Sequence, residues 1–149
     1  MKTLFEIAAK NEILERVNGL TFSHQGLWGK MNVSQMMAHC SKALEVVIGK
    51  YSPPRIFIGK IVGWLFKSAY TNEKPFPKNV KTVKGFEMTT EKDFEIEKER
   101  LISLIEETYN MGENGCTKHP HPFFGKFTPD EWGKGMYKHL DHHLRQFDV

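Results

Sequence analysis

The sequence predicts an all-α protein. Apolar residues recur at helical spacing in four segments, and three of these segments begin with a recognisable capping signal. No run of residues alternates apolar and polar in the manner of a strand, and no internal repeat is visible. The 149 residues suit one domain, 1–149, with a sizeable core. The expected architecture is four main helices in a bundle, with an extra helical insertion between the second and third.

The first helix follows Thr3-Leu4-Phe5-Glu6, which reads as a capping box: the Thr hydroxyl accepts from the third backbone N–H and the Glu reaches back. Leu4, Ile7, Ala8, Ile13, Leu14 and Val17 form its apolar stripe, and Asn18-Gly19 stops it. Asn32, with Gln35 three residues on, caps a second helix running to about Lys50, where Gly49 and Pro53-Pro54 limit it. Residues 53–70, rich in Ile, Phe and Trp, form the insertion, weakened by Gly59 and Gly63. Asn72 to Lys84 is polar, proline-bearing loop. A third main helix covers roughly residues 90–110, with Phe94, Leu101, Leu104 and Ile105 facing the core. Gly112 to Phe127 is a long loop containing His119-Pro120-His121-Pro122. The last helix starts at Thr128-Pro129-Asp130-Glu131, where a capping box coincides with proline at the first helical position.

Composition narrows the function classes. Twenty-one basic and 18 acidic side chains leave a charge of +3, with no basic stripe, so no nucleic-acid partner is expected. Cys40 and Cys116 form no CxxC and no disulfide framework, which fits reduced thiols in a cytoplasmic protein. The first residues contain no apolar run or small-residue cleavage site, so no signal peptide is expected. The most apolar stretch, Ile56 to Phe66, is interrupted by Lys60 and is shorter than the about 20 residues a bilayer span needs, so stable membrane insertion is not expected. Its apolar surface suits a second copy of the chain, as a homodimer, or an anionic surface on which it would lie.

The chemistry-bearing residues are histidines. Seven are present, and His139, His142 and His143 lie within five residues. Residues four apart share a helix face, so the imidazoles of His139 and His143 can converge on one metal. Turning about 100° per residue, Trp132, Met136, Leu140, Leu144 and Phe147 form the apolar stripe of the last helix. His143 falls inside that stripe, His139 on its border, and His142 near Lys138 and Asp141 on the outer side. His142 is thus a solvent-side residue or an outer support. Without a metal, the same pair reads as two satisfied interfacial histidines.

A catalytic zinc takes three protein ligands and keeps a position open. His39, in Met36-Met37-Ala38-His39-Cys40, is the best third ligand, because it flanks the core stripe of Val33, Met37, Cys40, Leu44 and Val47 at the mouth of an interhelical cleft. An exposed helical histidine is the alternative. Cys40 faces the core and reads as packing. His119 and His121 compete for the third position or form a lid, and equally suit a rigid His-Pro connector. His24 has no spacing partner. Asp141 points outward, so no general base is assigned; with His142 and His121 it is counted among the residues that would support or cover the site from outside.

Leu27-Trp28-Gly29-Lys30-Met31, Ser34-Gln35-Met36-Met37-Ala38-His39, His121-Pro122-Phe123-Phe124-Gly125, Thr128-Pro129-Asp130-Glu131-Trp132 and Lys138-His139-Leu140-Asp141-His142-His143-Leu144-Arg145-Gln146-Phe147 together resemble a family within the DinB/YfiT-like superfamily. The resemblance covers nearly the whole chain. It implies a DinB-like four-helix bundle of the up-down-down-up type. It also implies a metal triad of one His from the second helix and an HxxxH pair from the last, which by position are His39, His139 and His143. Relatives include transferases and isomerases that use low-molecular-weight thiols, which implies a metal-dependent enzyme acting on a small-molecule substrate by thiol transfer or hydrolysis. The common ending HxxHHRGQ is replaced here by one with Leu144-Arg145-Gln146. Histidine ligands suit Zn or Ni, and also Fe or Mn. A non-catalytic binding or dimerisation module is the alternative function.

Overall fold

A computed structural model describes residues 1–149. It is helical throughout, with five α-helices and no strand: α1 (Ile7–Gly19), α2 (Val33–Val47), α3 (Phe57–Thr71), α4 (Phe94–Met111) and α5 (Pro129–Gln146), plus one 3-10 turn at Glu113–Gly115. A four-helix bundle of α1, α2, α4 and α5 fits the packing. The two helices α1 and α2 each touch α4 and α5 but not each other, so they occupy opposite corners. No helix is long and apolar enough to cross a membrane.

Side-chain contacts fix the directions. Near the start of α4, Lys98 donates to the carbonyls of Asn18 and Leu20 at the end of α1, so these two run antiparallel. Along α2 and α4 the partners advance together, Glu45 with Arg100 and Lys50 with Glu107, so this pair is parallel. Parallel packing also holds for α1 and α5, from Leu4 N–H on the Gly133 carbonyl, through Tyr137 on Glu12, to Arg16 on Asp141.

Local signals set most helix starts. Asn32 and Gln35 form the reciprocal capping box of α2, and Thr128 and Glu131 that of α5. Each cap is worth about 1 kcal/mol. Asp93 caps α4, three residues later than the apolar pattern suggests, because its side chain accepts from Ile96 N–H. The predicted box at Thr3 does not form. Leu4 N–H is taken by the Gly133 carbonyl and the Leu4 side chain is fully buried, which holds residues 1–6 against α5 and delays α1 to Ile7. The buried stripe of α1 is consequently Ala9, Ile13 and Val17, with Ile7 and Ala8 outward.

The core is continuous across all four bundle helices, and the predicted stripe of α5 is buried in full. Burial on α2 extends nearly all round, to Met36, Ala38, His39, Ser41 and Val46 besides the expected stripe, because the segment 72–93 closes over it and buries Phe86.

The insertion α3 lies on α5, outside the four-helix unit. Its two glycines are contact points rather than weak points. A Cβ on Gly63 would stand 2.0 Å from the Phe123 carbonyl oxygen, and one on Gly59 2.5 Å from the same atom. Ile56 N–H donates to the Pro122 carbonyl and Arg55 to those of Gly59 and Phe123, which fastens α3 to the loop before α5.

Candidate metal centre

The wheel positions of α5 and α2 become a cluster once the helices cross. Ligand-capable nitrogens of His39, His139 and His143 all lie within 4.8 Å of one another. His139 and His143 meet edge to face at 4.7 Å between ring centres, as one turn of helix requires. The Nε2 atoms of His39 and His139 stand 3.0 Å apart. That is the separation of a hydrogen bond in which one imidazole donates. Three N ligands at about 2.0–2.1 Å from a tetrahedral ion stand about 3.4 Å from each other, so the His39–His139 pair opens by a few tenths of an ångström to admit one.

The outer nitrogens are held by this chain's own acceptors. His39 Nδ1 lies 2.9 Å from the Phe86 carbonyl oxygen, so it carries the proton and Nε2 is left as a lone pair. His143 Nδ1 lies 2.9 Å from Gln146 Oε1. Which end of the Gln146 amide faces His143 is set by the other end, where Nε2 donates to the Trp28 carbonyl at 2.6 Å. His143 therefore also carries its proton on Nδ1 and keeps Nε2 bare. This arrangement, an imidazole whose far N–H is pinned by a carbonyl or amide, is how proteins orient histidine ligands. Gly29, at φ +83°, lets the Trp28–Gly29 turn close on the amide: a Cβ there would stand 2.5 Å from Gln146 Nε2. His139 differs from the other two, because its Nδ1 is buried without any partner.

Burial determines the charge state. It lowers the His39 pKa, and it pushes His143 down to about 3, with the neighbouring His39 as the second cause. His139 is lowered well below its ordinary value by burial first, then by His143 and His39. All three imidazoles are neutral, and because His39 Nε2 accepts, His139 donates from its own Nε2; a divalent cation at the triad takes His139 in its other tautomer, with the proton moved to the unpartnered Nδ1. The donor set therefore fits such an ion, three nitrogens and no carboxylate among them.

The other predicted residues fall elsewhere. His39 is not at a cleft mouth: only 4% exposed, it lies beneath Phe86 because the 72–93 segment covers the flank that the helix pattern leaves open. His142 stands between Trp28 and Phe76 at 5.7 and 5.6 Å, half-buried, with its edge toward His143 at 5.2 Å. It lines a cavity of about 330 Å³ with Trp28, Phe76, Lys78, Lys138 and Arg145. Asp141 points away from the triad and bridges Arg16 at 2.9 Å and Arg145 at 3.0 Å, joining α1 to α5. His121 is no third ligand. Its Nδ1 accepts from Phe123 and Phe124 N–H, and its ring stacks on Phe127 and packs on Tyr70 and Trp132. It thereby closes the His121–Gly125 turn, and burial lowers its pKa to about 3. His119 is exposed, and His24 accepts from Thr21 N–H in its own loop. Cys40 is buried, and burial raises its thiol pKa far above the ordinary value.

Gln146 and the Phe86 carbonyl were not legible as site groups. Gln146 had a signal available, since it follows His143 by three residues on the same helical face. The Phe86 carbonyl had none, because a backbone acceptor carries no residue-type signature.

No curated protein and no solved structure matches the chain. The family described as "Protein of unknown function (DUF1569)" matches residues 2–149, which is almost the whole sequence, and the chain belongs to that family.

Proposed function

We propose that the protein binds one divalent metal ion through His39, His139 and His143 and acts as a metal-dependent enzyme on a small molecule. The observation that carries this reading is the convergence of three neutral imidazoles, two of them oriented by dedicated acceptors. When bound, such an ion with three protein ligands and an open position supplies Lewis-acid activation of a thiol or a water. Phe86 and Gln146 hold the tautomers of His39 and His143 so that both Nε2 atoms face inward. Phe86 and the 72–93 segment exclude water on the α2 side. Zn or Ni suits the all-nitrogen set, and Fe or Mn is compatible with it.

The helix directions, up, down, down, up for α1, α2, α4 and α5, support a DinB-like arrangement for this one-domain chain, and thiol transfer or hydrolysis follows from that likeness. Cys40 and Cys116 form no disulfide with each other, which suits a cytoplasmic setting. One observation favours a second, non-catalytic reading: Asp141, the acidic residue between the two ligands on α5, is committed to Arg16 and Arg145, which leaves no carboxylate as base at the triad.

Elemental analysis of untagged protein purified without chelator, beside its His139→Ala variant, tests the proposal. About one metal per chain in the parent and none in the variant is expected. Equal metal content in both removes the site.

A further inference from the structure

Helix α3 presents its apolar side to solvent. Phe57, Ile58, Ile61, Trp64, Leu65 and Phe66 are 77, 59, 57, 69, 57 and 52% exposed. Only Gly59, Gly63 and Tyr70 are buried on this helix. On a wheel of about 100° per residue, the inward direction is that of Gly59, Gly63 and Tyr70. Phe57, Ile61, Trp64, Leu65 and Ile58 occupy the opposite arc. The face against the protein is made by two glycines and Tyr70, with Phe66 at its edge against Phe123, and the other large apolar side chains point out.

A fully exposed aromatic side chain offers about 150–250 Å², so Phe57 and Trp64 alone expose roughly 300 Å². With three aliphatic chains more than half exposed, the patch reaches roughly 600 Å², at or above the about 300–600 Å² of the largest patch on an ordinary monomer. A stable interface takes about 800 Å² from each partner, with an apolar centre and a polar rim. This patch supplies the centre, and exposed Lys60, Ser68 and Pro54 border it.

The charges favour a protein partner over a lipid surface. No acidic residue occurs between Glu45 and Glu73. Of the cations at α3, Lys67 is paired with Glu131 and Arg55 is turned inward onto carbonyls. Lys60 has no ion pair and is the single free cation of the helix. An interfacial membrane helix needs a strongly basic polar face, whereas here the opposite face is docked against Phe123. The outward arc itself contains no charge, so nothing charged is desolvated when it meets an identical arc.

We propose that α3 is the contact of a homodimer, packing against α3 of a second copy across a two-fold axis with Trp64 and Ile61 near the centre. Such an isologous contact is self-complementary and closes at two subunits. It requires no residue of the metal centre, so its failure leaves the reading of the triad standing.

Light scattering after gel filtration tests this on the full chain, with Trp64→Glu and Ile61→Lys variants and Phe22→Glu as a control on another exposed aromatic. The parent and the control are expected at twice 17.3 kDa. The two α3 variants are expected at the monomer mass, with unchanged helical circular dichroism and at least a tenfold rise in dimer dissociation constant. A monomeric parent overturns the proposal, as does a dimer that survives both α3 substitutions. A monomeric parent that co-sediments with vesicles containing phosphatidylglycerol, and loses this on Trp64→Glu, would overturn it in favour of a membrane-facing α3.

Discussion

Gln146→Leu separates a structural amide from one that serves the metal centre. Gln146 is 3% exposed; it accepts from His143 Nδ1 at 2.9 Å and donates to the Trp28 carbonyl at 2.6 Å. Leucine fills a similar volume but removes both bonds. The buried His143 N–H then lacks an acceptor, which costs about 1–3 kcal/mol of apoprotein stability. With urea m-values of about 1–3 kcal/mol/M for a small protein, the midpoint falls by roughly 1 M. Loss of the partner that orients a histidine ligand weakens metal binding about 10–100-fold, or about 1.4–2.7 kcal/mol. Urea unfolding of the apoprotein and Zn(II) titration against a chromophoric chelator read the two effects separately. Gln146→Glu keeps the acceptor and loses only the donor to Trp28, so it should retain zinc affinity. If Gln146→Leu lowers stability while zinc affinity stays within threefold of the parent, His143 is not a ligand and the amide serves folding alone.

Three other perturbations probe the surrounding structure. Gly63→Ala forces a Cβ to 2.0 Å from the Phe123 carbonyl, so α3 must lift from the loop, at about 1–3 kcal/mol, and residues 53–71 should become the first site of limited proteolysis; an unchanged cleavage pattern would refute that packing. Asp141→Asn breaks the clamp between α1 and α5, lowering stability by about 1–3 kcal/mol while leaving zinc affinity unchanged, and a parallel loss of affinity would place Asp141 in the metal centre after all. Acidification should destabilise the apoprotein between pH 6.5 and about 3, because unfolded histidines take up protons near 6.5 while folded His121 and His143 stay neutral to about 3. The folded pKa is depressed for a base, so stability rises with pH in this window. From pH 6.5 to 5.5 each contributes about 1 kcal/mol, and His39 and His139 act in the same direction. A urea midpoint that holds or rises on going from pH 7 to 5.5 would contradict the neutral, buried state.

The parts of this protein legible in its sequence are those set by neighbours within one or two helical turns. The caps at Asn32 and Thr128 form as read, because a side chain three residues from its partner closes the bond whatever surrounds it. The stripe Trp132, Met136, Leu140, Leu144 and Phe147 is buried as read, and the same periodicity brings His139 and His143 onto one face. Tertiary structure decided the rest, because burial and satisfaction depend on which distant segment covers a face. Thr3 loses its cap because Leu4 is drawn to Gly133, 129 residues away in the chain. His39 leaves its half-exposed flank because the 72–93 segment closes over it and brings the Phe86 carbonyl to Nδ1. His143 acquires its tautomer through Gln146 from Trp28, a turn that only the folded chain brings within 2.6 Å. A pair of histidines is thus a property of one helix. Their convergence with His39, and the orienting of His39 and His143 by distant acceptors, is a property of three segments meeting.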